Sequence, residues 1–224
     1  MIYKKKLLMA VIIALMSGVS ILNAQVLVGP YIGVNLSTVT GGNSSGNSYR
    51  PGLNAGLAID LGLSQNFLIE TGLGYNMKGS GFDNTTTATI GNVNYSYENS
   101  GHTTFSYISL PVLAMLKFGN LFIQAGPDFS ALVGESTSNT TTTTSGGTSS
   151  TVESSSSSVS GSNTIDYGLN FGLGLQSSQG AFIRLGSVIG LGNVDKASTS
   201  NTIHNLLFQL SFGWKFGSVK SSNG

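Results

Sequence analysis

The chain has 224 residues, 31 of them glycine, with no cysteine, 8% charged against 40% hydrophobic residues, and a formal net charge of +1. The missing cysteines exclude a disulfide scaffold and thiolate metal sites, and the near-neutral balance leaves no electrostatic footprint for nucleic acid. A disordered chain of this Gly and Ser content would carry fewer large apolar residues, so one folded domain is expected.

At the N-terminus, Lys4, Lys5 and Lys6 precede the apolar run LLMAVIIALM, and LNAQ sets the small Ala24 ahead of Gln25. That is the layout of a secretory signal peptide over residues 1–24. Its removal leaves seven basic and nine acidic residues, a formal charge of −2. Beyond it, no apolar run is long enough to cross a bilayer as a helix.

From residue 26 onward, apolar residues alternate with small or polar ones in eight segments, near 26–37, 52–62, 67–78, 105–118, 121–133, 165–176, 181–191 and 205–216. Period-two alternation puts successive side chains on opposite faces of a strand. The first segment sets Val26, Val28, Ile32, Val34 and Leu36 against Gly29, Tyr31, Gly33, Asn35 and Ser37. The sixth sets Ile165, Tyr167, Leu169, Phe171, Leu173 and Leu175 against Asp166, Gly168, Asn170, Gly172, Gly174 and Gln176. In the eighth, Leu206, Phe208, Leu210, Phe212, Trp214 and Phe216 share a face that only Leu207 breaks. About a dozen residues suffice for a tilted strand to cross a membrane.

The connections alternate in length. Residues 64–66, 119–120 and 177–180 have tight-turn composition, whereas 38–51, 79–104, 134–164 and 192–204 are long. The third long connection is almost pure Ser, Thr, Gly and Asn, which predicts a mobile external loop. Short turns at one end, long loops at the other and an even strand count predict an all-β fold. Specifically, they predict an eight-stranded antiparallel up-and-down transmembrane β-barrel over residues 25–217, with periplasmic turns, extracellular loops and both termini periplasmic. Residues 218–224 form a short tail. The location expected is the outer membrane of a Gram-negative bacterium.

The apolar face then meets lipid, because the opposite face is small and charged, as suits the crowded lumen of an eight-stranded barrel. The inward phase holds Asp60, Glu70, Lys78, Lys117, Asp128, Asp166, Arg184 and Lys215, four acids and four bases. Unpaired charges in a narrow lumen cost several kcal/mol each, so near-neutral pairing is expected. Arg184, with a planar fork able to hold two carboxylates, is the expected hub. A salt-bridged plug, a wet channel lining and a catalytic constellation remain as readings of this set.

The stretch YISLPVLAMLKFGNLFIQAGPDFSALV (107–133), with GPYIGVNLS before it and DYGLNFGLGLQ and FIRLGSVIGLGNV after it, resembles the small outer-membrane β-barrel domain common in Bacteroidota, the porin-family or PorT-like group. Its most specific parts are Tyr107, Pro111 and Lys117 on one strand and Ala125, Gly126 and Pro127 on the next. The resemblance implies fold and location and no particular substrate. Two positions depart from the pattern: Ser109 stands where many relatives carry Glu, and Phe216 is followed by GSVKSSNG, so an assembly signal would be read internally.

Candidate chemistry is thin. His102 and His204 lie beside loops without a Ser or carboxylate at a spacing that repeats a known site, and read as solvated loop residues. The Gly-x-Gly strings lack a following helix, and Asp83, Glu98, Glu135, Glu153 and Asp195 lack calcium-loop spacing. No enzyme, cofactor or metal is expected. Two functions remain: a structural or interaction barrel that displays surface loops above a plugged lumen, and a narrow porin-like channel for small solutes or ions. The partners expected are outer-membrane lipids, the assembly machinery and an unidentified surface or envelope protein.

Overall fold

The computed structural model of the chain describes residues 25–42, 46–91, 93–159, 161–196 and 202–217. The expected signal peptide (1–24) and the tail (218–224) lie outside the described residues. Nine strands follow in chain order: β1 (Gln25–Thr40), β2 (Asn47–Gly62), β3 (Phe67–Ile90), β4 (Val93–Phe118), β5 (Leu121–Ser145), β6 (Thr148–Ser156), β7 (Ile165–Gln176), β8 (Ala181–Gly190) and β9 (His204–Trp214).

Eight of them close a ring. β1 pairs antiparallel with β2 and with β9, β2 with β3, β3 with β4, β4 with β5, β5 with β7, β7 with β8, and β8 with β9. Closure leaves no free edge within the wall, which is what lets a sheet stand in a medium that cannot hydrogen-bond its backbone. Gln25 lies opposite Gly62, and Val28 bridges to Phe216, so both described ends of the chain sit at the short-turn end.

The ninth strand corrects the sequence reading of the long connections. Residues 79–104 and 134–164 were expected as loops, yet β3 and β4 continue in register to Ile90↔Val93, and β5 continues to pair both with β4 and with β6. The physical reason is that Thr-rich runs such as NTTTTTS are polar and also β-branched, and so prefer extended backbone. Once β3 and β4 rise side by side, the upper half of β5 has a ladder to join. Cross-strand hydroxyls add to it: Thr142 and Thr151 lie 3.2 Å apart, Thr144 and Ser149 2.9 Å. A four-stranded sheet, β3–β4–β5–β6, therefore stands beyond the rim at the long-loop end.

Side-chain phase follows the alternation. β7 runs exposed–buried in strict period two from Ile165 to Asn170. Large apolar side chains such as Ile32, Leu57, Leu173, Leu185 and Phe212 are exposed on the outer wall, while Asn35, Asn54, Asp60, Glu70 and Lys78 are buried inside. The reading of the inner face as only small and charged needs correcting. Leu68, Met115, Phe122 and Phe182 form a buried apolar cluster inside the short-turn end, with Tyr31 packed on it. Each of the four lies within a continuous apolar run, where neither face is polar, and a ring too narrow to hold bulk water takes the second apolar residue inward. Inward glycines open the room: a Cβ at Gly174 would meet the Phe122 ring at 2.5 Å, and one at Gly213 the Phe182 ring at 2.5 Å.

Candidate functional site: the barrel interior

Above the apolar cluster lies a four-membered ion network. Asp60 on β2 and Glu70 on β3 are direct register partners, so two carboxylates point inward side by side. Like charges in that position repel unless a cation is shared. Lys215, just beyond β9, supplies it: its Nζ sits 2.7 and 2.8 Å from the two Asp60 oxygens and 2.6 Å from Glu70 Oε2. It reaches them across Gly29 of β1, where any Cβ would run into the backbone of Trp214 and Lys215. Arg184 on β8 donates from Nη1 to Glu70 Oε1. Its guanidinium stacks 5.2 Å from the Tyr31 ring centroid and 5.8 Å from that of Phe182. The four charges sum to zero.

The expectation that Arg184 is the hub is thus corrected. Arg184 reaches one carboxylate from across the lumen, whereas Lys215 holds two. The deciding factor is register: the carboxylates are adjacent on β2 and β3, and β9 is separated from β2 only by β1.

The middle of the lumen is a belt of neutral hydrogen bonds. Gln209 donates to Asn76 Oδ1 (2.7 Å), Asn76 donates to Ser109 (2.9 Å), the Ser109 and Ser130 hydroxyls meet at 2.8 Å, and Ser130 donates to Asp128 (2.9 Å). That chain links β9, β3, β4 and β5 across the interior. A second runs from Ser211 to Asn54 (2.9 Å) and from Asn54 to Asn35 (2.6 Å). Tyr31, Glu70, Asn76, Asp128, Arg184 and Gln209 are among the residues that line a cavity of about 20 Å³, room for about one water.

Nearer the long-loop end, Lys78 pairs with Asp166 at 3.0 Å, Asn205 donates to the same Asp166 oxygen at 2.9 Å, and Lys78 Nζ lies 4.6 Å from the Tyr107 ring centroid. Phe105, Tyr107, Leu132 and Val194 make a second buried apolar cluster there.

Of the eight charges expected inside, Asp60, Glu70, Lys78, Asp128, Asp166 and Lys215 are buried, and Arg184 is mostly so. Ion pairs join Asp60, Glu70, Arg184 and Lys215 in one group and Lys78 with Asp166 in another. Asp128 is held by Ser130 instead, and Lys117 is half-exposed with no ion pair among the described residues. Ser109 is notable in the sequence only as a departure from the family pattern and Asn35 only as a polar-face residue, and no bonding role follows from sequence for them or for Asn54, Asn76, Ser130, Asn205, Gln209 and Ser211. Their inward phase was the available signal. Of the β9 set, Phe208, Phe212, Trp214 and Phe216 are exposed on the outer wall, and Leu206 and Leu210 are half-buried there; Leu207 alone turns in. His204 contacts the Gly192 carbonyl oxygen at 2.9 Å, while His102 is exposed on β4. No group of three or more His, Asp or Glu among the described residues is placed to hold a metal ion.

A closed antiparallel ring with an apolar outside and a polar inside is the arrangement of a transmembrane barrel, and the family model for the outer membrane protein beta-barrel domain matches residues 23–196. The chain belongs to this family. The outer-membrane barrel has no match among curated proteins. Among solved structures it is similar to the Neisserial surface protein NspA, with 11% identity over 85% of this chain and 97% of that one, at a TM-score of 0.39. It is also similar to Ail, the attachment invasion locus protein of Yersinia pestis (11% identity, 85% and 98% covered, TM-score 0.41), and to the outer membrane protease OmpT of Escherichia coli (8% identity, 88% and 97% covered, TM-score 0.34).

Proposed function

We propose that this outer-membrane barrel is a structural and interaction protein, in which a plugged lumen serves as a rigid post for the sheet that rises from one rim. The observation that carries this reading is the filled interior: two buried ion networks, a hydrogen-bonded belt between them and an apolar cluster below, with a cavity of about 20 Å³ in their midst. A conducting pore needs a continuous water path, and side chains meeting across the lumen at these levels support the plugged reading over the channel.

The long-loop end faces the outside and the short turns face the periplasm, with both chain ends on the periplasmic side. Outward aromatics support the membrane placement. Trp214 and Phe216 stack near the short-turn end and Tyr49 packs on Phe208 near the other. Phe208 and Phe216 are separated by roughly 27 Å of strand, which strand tilt reduces to about the height of a barrel's apolar band. Outer-membrane lipids and the assembly machinery are its general partners. Tyr107, Pro111 and Lys117 with Ala125–Gly126–Pro127 support placing it among the PorT-like barrels of Bacteroidota.

Single cysteines at Thr87 and Ser149 test the display. On whole cells both should react with a membrane-impermeant maleimide, while cysteines at Asn120 and Ser178 should react only after the outer membrane is breached. Equal reaction at all four positions would overturn the orientation. The expected external Ser44 lies outside the described residues.

A further inference from the structure

The sheet beyond the rim has two chemically different faces. Registers Thr86↔Tyr97, Tyr97↔Thr143, Asn99↔Thr141 and Thr141↔Val152 put Tyr97, Asn99, Thr141, Thr143 and Val152 on one face, with Tyr95 two residues along. This face continues the inner wall of the barrel, since the same phase holds the buried Lys78 and Phe105 below. Beyond the Phe82↔Gly101 pair it carries no charged residue. Asp83, Glu98 and Glu153 all fall on the opposite face, together with Thr85, Thr87, Thr140, Thr142 and Thr144. The segregation is complete in a segment where every side chain is within reach of water, so burial does not explain it.

We propose that the uncharged face is a binding surface for a neutral oligosaccharide, a reading that rests on the display role above. Tyr97 is 45% exposed at its centre and Val152 62% exposed at its edge. An exposed tyrosine offers a flat apolar ring against which the C–H face of a sugar packs, and it costs little side-chain entropy to hold. Around it, the Asn99 amide and the Thr86, Thr141 and Thr143 hydroxyls supply paired donors and acceptors of the kind that adjacent sugar hydroxyls match. Thr141 donates to Asn99 Oδ1 at 3.4 Å, which orients that amide and leaves its N–H groups pointing away from the threonine. The absent charges discriminate against sulfated or acidic glycans and in favour of neutral ones. Size decides between a glycan and a protein partner. Four strands by six residues span about 14 Å by 20 Å, roughly 300 Å², well short of the ~800 Å² per partner of a stable protein interface and ample for three or four sugar units.

The test uses the refolded protein in lipid nanodiscs, titrated calorimetrically with maltohexaose, cellohexaose, mannohexaose and a heparin hexasaccharide. At least one neutral hexasaccharide should bind saturably. Tyr97→Ala should weaken it about tenfold, the loss of one stacked ring, Tyr97→Phe should retain it within about twofold, and Glu98→Gln on the other face should leave it unchanged. No saturable binding of any neutral hexasaccharide, unaltered binding by Tyr97→Ala, or tighter binding of the heparin fragment would each overturn the proposal. Because the protein is purified, both faces are accessible whichever way the barrel sits in cells. Failure here is therefore separate from failure of the whole-cell labelling.

Discussion

Lys215 bridges two carboxylates that strand register sets side by side, so the lower lumen should depend on it more than on Arg184. Replacing it with Met leaves Asp60 and Glu70 facing each other, with Arg184 bound to only one of them. Removing one partner of a buried pair costs about 3–5 kcal/mol, since the remaining charge stays desolvated. Lys215→Met should therefore lower the urea-unfolding free energy in phospholipid vesicles by about that much, and Arg184→Met, which leaves Glu70 with its lysine, by clearly less. Equal losses would mean that Arg184 shares the hub. Period two is enough to place all four residues on the inward phase. It does not identify the hub, because that depends on which inward residues share a register level. That follows from the turn between β2 and β3 and from Gly29, neither of which alternation records.

At the scale of the element, β9 carries the sharpest contrast between faces. Phe212 is exposed on the wall, whereas Gln209 turns in and donates to Asn76. Phe212→Arg should reduce stability by roughly 2–4 kcal/mol if that face meets the bilayer midplane, measured by equilibrium unfolding in vesicles. Gln209→Leu keeps the volume and should cost about 1–3 kcal/mol for the Asn76 acceptor left without its donor. A harmless Phe212→Arg would mean that the outer face of β9 does not touch lipid. The β3–β4 and β5–β6 extensions are elements of another kind, held by ladders and hydroxyl pairs with no core beneath them. Shortening β5–β6 by deletion of residues 138–155 should leave the unfolding midpoint of the barrel within error, read by loss of the heat-modifiable band shift. These extensions were illegible as strands because Thr and Ser runs read as loop by polarity and as strand by branching, and only the neighbouring strands decide between the two. Phe122 and Phe182 were missed inside the lumen for the converse reason: in NLFIQ and AFIRL consecutive apolar residues hide which of them turns in.

The barrel is a closed ring whose interior is crossed by ion pairs, hydrogen bonds and apolar side chains and whose rim carries a sheet. Ring closure, the eight wall strands and the division of short and long ends were all legible, because alternation and turn spacing are local properties of Val26–Ser37, Ile165–Gln176 and their like. Whether the lumen conducts was not, since it depends on how side chains from opposite walls meet. The direct measurement is the single-channel current of the refolded protein in a planar bilayer bathed in concentrated potassium chloride, for the parent and for Lys215→Met. A lumen plugged by side chains gives no discrete steps above the bare bilayer for the parent, and at most infrequent, flickering events once the lower network is broken. Stable, ion-selective steps in the parent protein would contradict the plug and make the barrel a narrow channel.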